Sequence, residues 1–260
     1  DRLAIIERHL GLMPSNEASG AFAKISVIAS AIANQVDLDR LMAISASAPP
    51  LSDPVFQEVA LPQPSANAPG LTLPPASMQS SAARGREDSE DVPIKLGVAR
   101  DAAFAFYYPG DLDALRRHGA ELVPFDTLKD PHLPEVDALF IGGGFPEVHM
   151  QALEANRSLR ADIRQAIESG LPVYAECGGL MYLSRSLRWK GAQCEMVGAI
   201  PGDTVMHDRP QGRGYVKLRE TGKSPWPQAA GAAVEIRAHE FHYSTLENVA
   251  RDLDYAYDVT

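Results

Sequence analysis

Hydrophobic positions in the C-terminal two thirds of the chain alternate between short apolar runs and stretches with helical spacing. The apolar runs are bounded by glycine, proline or charged residues, as is typical of buried strands. Strands separated by helices predict an α/β fold, in which a mostly parallel sheet is flanked by helices on both faces. The predicted strands are IKLGVA (94–99), AELVPF (120–125), VDALFIGGG (136–144) and LPVYAECGG (171–179). The predicted helices are 111–119, 156–169 with its stop at Gly170, and a stretch continuing from 180 through LMYLSRSL.

The pattern changes at both ends of this region. After residue 190 it becomes strand-like in MVGAI, RGYVKLRE and AAVEIRAHEF. Residues 1–45 have helical periodicity, and Asp37 is placed to cap a last short helix. Residues 46–92 contain eight of the twenty prolines, together with Ser- and Ala-rich stretches, and this composition is typical of a linker. We therefore expect three segments, 1–45, 46–92 and 93–260, in a piece of a longer protein.

Composition excludes several classes of function. The formal net charge is −10, and Lys and Arg are scattered, so we expect no nucleic-acid partner. No apolar run approaches the roughly 18–20 residues that span a bilayer, and no export signal is visible. The two cysteines, Cys177 and Cys194, are therefore expected to stay reduced in a cytoplasmic enzyme.

Cys177 lies between a predicted strand and two glycines, in VYAECGGLMYL. This arrangement resembles the nucleophile elbow of hydrolases, where small neighbours permit a strained turn. A helix N-terminus there would lower the thiol pKa, and the Gly178 N–H could bind an oxyanion. A buried, inert cysteine would have the same local spacing, so both interpretations are open.

A second glycine-rich stretch, IGGGFPE (141–147), also follows a predicted strand. Its backbone N–H groups could hold an oxyanion, although a tight strand-to-helix turn is the more common reason for such glycines. The chain contains no G-x-x-x-x-G-K-[ST] loop, and this stretch does not match the G-x-G-x-x-G motif.

A cysteine nucleophile needs a base, and His239 and His242 stand close together in RAHEFHYST. On a strand, successive side chains face opposite ways, so only His242 shares a face with Glu240. A metal site at the two histidines lacks a third ligand, and we predict no metal in this chain.

Several longer blocks together resemble the cobyrinic acid a,c-diamide synthase family, whose C-terminal part is a class I-type glutamine amidotransferase. The blocks are VARDAAFAFYYPGDLDALRRHGAELVPF, DALFIGGGFPE, YAECGGLMYL, MVGAIPG, RPQGRGYVKLRE and HEFHYSTLE, with ERHLGLMPSNE near the start. The resemblance covers about 1–45 and 93–260. It implies a flavodoxin-like amidotransferase domain at 93–260 and the end of an ATP-dependent synthetase domain at 1–45.

The resemblance also implies roles for individual residues. Cys177 matches the nucleophile, His242 the catalytic histidine, and Gly143 or Gly144 with Gly178 the oxyanion-binding positions. Many superfamily members have His-Pro-Glu, in which the glutamate orients the histidine, whereas this chain has His242-Tyr243-Ser244. A Cys–His dyad is expected, and whether Glu240 or Ser244 orients His242 is left open.

The implied reaction releases ammonia from L-glutamine and passes it to a synthetase domain, where ATP and Mg²⁺ activate a corrinoid carboxylate. The amidotransferase part acts only on glutamine, so the acceptor could instead be sirohydrochlorin or a siroheme-like tetrapyrrole. The synthase that makes cobyric acid ranks lower, because its domain is expected to lack the FYY and HEFHYS motifs. Two different functions stay open, a non-catalytic binding module and a cysteine hydrolase of peptides or esters. A homodimer is left open.

Overall fold

The computed structural model describes residues 21–49, 93–224 and 235–260, which divide between two compact units. The helices are α1 (Ala21–Ala33), α2 (Leu38–Ala46), α3 (Pro109–Arg117), α4 (Met150–Ala155), α5 (Arg157–Glu168) and α6 (Gly178–Leu183). The strands are β1 (Ile94–Ala99), β2 (Phe104–Phe106), β3 (Ala120–Phe125), β4 (Ala138–Ile141), β5 (Gly143–Gly144), β6 (Val173–Ala175), β7 (Ser184–Trp189), β8 (Ala192–Glu195), β9 (Ile200–Met206), β10 (Gly212–Glu220), β11 (Glu235–His242), β12 (Ser244–Glu247) and β13 (Tyr257–Val259).

Helices α1 and α2 belong to the first unit. The predicted cap is confirmed, because the Asp37 carboxylate accepts a hydrogen bond from the Arg40 N–H at 2.9 Å. The helical prediction is also confirmed over the described part of 1–45. The beginning of that segment and nearly all of 46–92 lie outside the described residues, so the synthetase remnant and the linker stay predictions.

The second unit is built on a four-stranded parallel sheet with the order β3-β1-β4-β6. If these four strands are numbered along the chain, their order across the sheet is 2-1-3-4, which is the flavodoxin-like arrangement. The order reverses between β1 and β4, and ligands of such sheets bind outside the carboxyl ends near that point. The α/β prediction is confirmed, and both ends of strands 94–99 and 120–125 are as predicted.

Neighbouring strand ends bring the two glycine-rich stretches together. Ile141 at the end of β4 is paired with Ala175 at the end of β6. The Glu176 N–H also donates to the Ile141 carbonyl at 3.1 Å, so Gly142 and Cys177 each come directly after one of two hydrogen-bonded residues. A hydrophobic core lies beneath this edge; its fully buried large side chains include Tyr182, Phe104, Phe145, Leu139, Ile141, Met150, Leu153, Leu159, Ile163 and Leu187.

Smaller sheets complete the unit: β12-β9-β7-β8, β11-β10-β13 and the pair β2-β5. The prediction that a helix continues through LMYLSRSL is wrong, because α6 ends at Leu183 and β7 follows. The Ser184 hydroxyl donates to the Met181 carbonyl at 2.7 Å, and β7 then pairs with β8 and β9. The predicted strand at MVGAI is wrong except for Ile200, since Gly198 takes a positive φ of 76°.

Candidate active site

Cys177 occupies the sharp turn between β6 and α6, with φ 49° and ψ −111°. A positive φ is unusual for a residue with a side chain, and such strain is concentrated at functional sites. The turn closes only because two glycines follow it. A Cβ on Gly179 would lie 2.1 Å from the Ile141 carbonyl oxygen, and a Cβ on Gly178 would lie 3.0 Å from Gly144 N. The structure thus gives Cys177 the elbow geometry that its sequence context predicts.

The environment of the Cys177 thiol differs from the expectation of a lowered pKa. Although the side chain reaches solvent, the protein atoms packed around it desolvate the sulfur and raise its pKa. The carboxylates of Glu147 and Glu176 raise it further, whereas a hydrogen bond from the Gly178 N–H lowers it. Desolvation is the largest of these influences, so the pKa of the thiol lies above its ordinary value.

The glycine stretch 142–144 lies against this turn. Gly143 and Gly144 form β5, which pairs with β2, and a Cβ on Gly143 would lie 3.8 Å from Cys177 Cβ. The structure therefore brings Gly143, Gly144 and Gly178 together beside the cysteine. Their role as oxyanion donors stays a prediction.

Tyr107 contacts the glycine stretch, and reasoning from local pattern missed it. Its hydroxyl donates to the Ala99 carbonyl and accepts the Gly142 N–H at 3.0 Å, so it ties the end of β1 to the glycine stretch. Burial raises the pKa of this hydroxyl, which keeps it protonated and able to donate. The FYY motif was the available signal, but nothing in its spacing indicates a contact with Gly142.

His242 closes the site from the end of β11. As predicted, side chains alternate along this strand, and His242 shares a face with Glu240. The ring Nδ1 lies 2.7 Å from the Ser244 carbonyl oxygen, and Nε2 lies 2.7 Å from Glu240 Oε1. Both residues left open by the sequence thus contact His242, one through its backbone and the other through its carboxylate.

Gly212 on β10 is a second residue that the sequence did not single out. A Cβ at this position would lie 2.3 Å from both Glu240 Oε1 and His242 Nε2. The Glu240 carboxylate and the His242 imidazole can therefore contact each other only because residue 212 has no side chain.

His239 points to the opposite face of β11, where its ring contacts Tyr215 with centroids 5.6 Å apart. It does not join His242. Within residues 21–49, 93–224 and 235–260, no group of three His, Cys, Asp or Glu side chains could hold a metal ion.

Cys177 and His242 line one cavity of about 260 Å³, together with Leu180, Thr204, Ser244, Thr245 and Leu246. The volume suits a small molecule, and the cavity opens at the carboxyl edge of the sheet, where α/β proteins bind their ligands. A cysteine in a strained turn and a histidine thus line the same cavity.

Residues 95–258 match the family of the CobB/CobQ-like glutamine amidotransferase domain. The chain belongs to this family. It is 44% identical over 258 residues to the cobyrinate a,c-diamide synthase of Magnetococcus marinus, covering 99% of this chain and 50% of that protein. The synthase of the same name from Listeria innocua is 40% identical, with 94% and 47% covered, and that from Archaeoglobus fulgidus is 40% identical, with 91% and 45% covered.

The chain spans about half the length of these relatives. A crystal structure of a glutamine amidotransferase aligns with 62% of this chain and 78% of its own at 14% identity, with a TM-score of 0.44, too low to add to the assignment. In the part of the chain that the structure describes, every helix is too short or too polar to cross a membrane. The family resemblance that the sequence indicated is confirmed. As a glutamine amidotransferase domain, the chain is an enzyme.

Proposed function

We propose that this chain hydrolyses glutamine and supplies the ammonia for amidation of the a and c acetate side chains of cobyrinic acid. The observation that carries the hydrolysis is the placement of Cys177 and His242 in one cavity, with Cys177 in a strained turn. The acceptor is supported by the names of the relatives, which match nearly all of this chain.

The proposed chemistry begins with the Cys177 thiol, whose proton passes to His242 as the sulfur attacks the carboxamide carbon of glutamine. Backbone N–H groups, that of Gly178 and one from Gly143 or Gly144, stabilise the negative oxygen that forms. The C–N bond then breaks, and the proton held by His242 goes to the leaving nitrogen, so that ammonia departs. The γ-glutamyl thioester left on Cys177 is hydrolysed by water to glutamate and free thiol.

We assign the amide-forming half of the reaction to a different domain. Activation of a carboxylate with ATP and Mg²⁺ requires a phosphate-binding site, and this sequence has no G-x-x-x-x-G-K-[ST] loop. The described residues also hold no cluster that could bind a metal ion. We therefore assign ATP, Mg²⁺ and the corrinoid acceptor to a synthetase domain.

A diazoketone analogue of glutamine tests the hydrolytic half. It should label wild-type chain once, at Cys177, and excess glutamine should slow the labelling. Cys177→Ala should remain unmodified, while Cys194→Ala, which removes the buried cysteine, should label like wild type. Absence of labelling at saturating analogue would favour a non-catalytic binding module with the same fold.

A second acceptor is a tetrapyrrole such as sirohydrochlorin, since the glutamine site is indifferent to what receives the ammonia. The assay combines this chain with its synthetase domain, ATP, Mg²⁺ and glutamine, and compares cobyrinic acid with sirohydrochlorin. Amide formation on cobyrinic acid alone supports the proposal, and formation on sirohydrochlorin alone overturns the acceptor while leaving glutamine hydrolysis intact.

A further inference from the structure

The His242 ring has hydrogen-bond acceptors at both of its nitrogens. The Ser244 carbonyl can only accept, so Nδ1 must carry a proton. At Nε2 the partner is the Glu240 carboxylate, 2.7 Å away. Either Nε2 donates to an ionised carboxylate, or the carboxyl group donates to Nε2. In both arrangements the Nε2 lone pair is unavailable to Cys177.

One of the two bonds must break before His242 can take a proton from the thiol. The bond to Ser244 is held by backbone, because Ser244 is paired with Met206 in the β12–β9 ladder. The bond to Glu240 ends on a rotatable side chain. Both the Glu240 and the His242 side chains are 37% exposed, so the carboxylate can turn into water without leaving a buried charge behind.

We propose that Glu240 is a latch on the catalytic base, holding Nε2 of His242 in the unliganded domain and releasing it for reaction. The proposal rests on the glutamine hydrolysis proposed above. On release, the proton at Nε2 leaves with Glu240 or goes to water, and the imidazole is neutral with its remaining proton on Nδ1. Nε2 then has a lone pair that can accept the proton of the Cys177 thiol, and the Ser244 carbonyl keeps the ring oriented throughout.

Glu240 could instead act as the orienting acid of a Cys–His–Glu triad. The two roles predict opposite effects of removing Glu240 on the rate at which the cysteine reacts. Loss of an orienting acid slows the reaction of the cysteine, because the ring is less well held and the imidazolium is less stabilised. Loss of a latch makes the cysteine of the resting domain react faster, because the base no longer has to be freed first.

The experiment measures alkylation of Cys177 by iodoacetamide, a small neutral reagent that needs no glutamine site, in a Cys194→Ala background. We expect Glu240→Ala to react roughly tenfold faster than its parent, the size expected for one hydrogen bond to a charged group. Glu240→Gln should change the rate in the same direction. Glu121→Gln, an exposed glutamate on β3, is the matched control and should not change it. An unchanged or slower rate in both Glu240 variants overturns the latch.

Nitrogen NMR of the His242 ring provides a readout that a structural role would not change. The signals are assigned by their loss in His242→Gln. Wild type should show Nε2 hydrogen-bonded to the carboxyl group, and Glu240→Gln should show a neutral ring with its proton on Nδ1 alone. Absence of a hydrogen bond between Nε2 and the carboxyl group in wild type also overturns the latch, and this outcome does not depend on how well the Glu240 variants fold. Failure of the glutamine analogue to label wild type would reject the proposed hydrolysis instead, so the two failures are distinguishable.

Discussion

Gly178, the residue after the cysteine, lies so close to Gly144 that a Cβ on it would stand 3.0 Å from the Gly144 nitrogen. Gly178 begins α6, shortly after β6, and Gly144 lies in β5, shortly after the neighbouring strand β4. Their contact fixes the distance between the Cys177 turn and the backbone proposed to bind the oxyanion. Glycine at 178 is thus required by packing between two parts of the site, since its own φ is not in the positive range.

Gly178→Ala should therefore damage the site more than the fold. The methyl group would press on Gly144 and on Pro146 Cδ, also 3.0 Å away, at a cost of about 1–3 kcal/mol of stability, as for other overpacked interiors. We expect labelling of Cys177 by the glutamine diazoketone to fall at least tenfold, since oxyanion donors are worth about that much or more. Gly110→Ala, where a Cβ meets nothing within 4 Å, is the control. Equal labelling by the two variants would contradict this account of Gly178.

Tyr107→Phe tests the tie between β1 and the glycine stretch. Loss of the hydroxyl leaves the Gly142 N–H and the Ala99 carbonyl without this partner, which should lower stability by about 1–3 kcal/mol. If the tie positions the oxyanion site, labelling by the glutamine analogue should slow more than alkylation by iodoacetamide. Tyr108→Phe removes the hydroxyl of the neighbouring side chain, which is 74% exposed, and should change neither rate. A parallel loss of both rates in Tyr107→Phe would assign it a purely structural role.

The reactivity of Cys177 should depend on pH in the direction set by its environment. Desolvation and the Glu147 and Glu176 carboxylates raise the thiol pKa, so less thiolate is present at neutral pH than in a free cysteine. The rate of iodoacetamide alkylation in Cys194→Ala should rise with pH and reach half its maximum above about 8.5, the ordinary value for cysteine. The same protein in denaturant supplies the reference titration. A midpoint below the reference would mean that the helix N-terminus outweighs desolvation after all.

Much of this architecture could be predicted from the sequence because its signals are local. The apolar runs at 94–99 and 120–125 have clear stops on both sides, and the helix predicted over 156–169 is followed by Gly170, whose φ is 98°. Alternation along a strand was enough to place His242 rather than His239 beside Glu240. The end of α6 could not be predicted, since LMYLSRSL has no helix stop and its last residues become a strand only by pairing with β8 and β9.

The site itself depended on contacts between distant segments. Tyr107 forms a hydrogen bond with Gly142, and the absence of a side chain at Gly212 makes room for the Glu240–His242 pair. Neither contact can be recognised from the periodicity or the composition of the sequence. The sign of the Cys177 pKa shift was wrong for the same reason. The helix N-terminus is visible in the sequence, whereas the burial of the sulfur, which is the largest influence on its pKa, is set only when the chain has folded.

The ion pair between Asp203 and Arg185 should make the unit sensitive to acid. Two guanidinium nitrogens contact the carboxylate at 2.9 and 2.6 Å, and Ser186 and Asn248 donate to it as well. These donors, Arg185 first, hold the pKa of Asp203 well below its usual range. A depressed carboxylate pKa stabilises the folded state above the unfolded value of about 3.9 and loses that effect as the pH falls further.

Asp203→Asn should thus melt several degrees lower than wild type at neutral pH, and the difference should shrink as the pH drops below about 4. Asp113→Asn is the matched control, because its pairing with Arg116 on α3 is exposed and contributes little. Thermal unfolding followed by circular dichroism across this pH range measures both. A difference between wild type and Asp203→Asn that stays constant down to acid pH would mean that Asp203 stabilises the fold through shape and neutral hydrogen bonds, without a contribution from its charge.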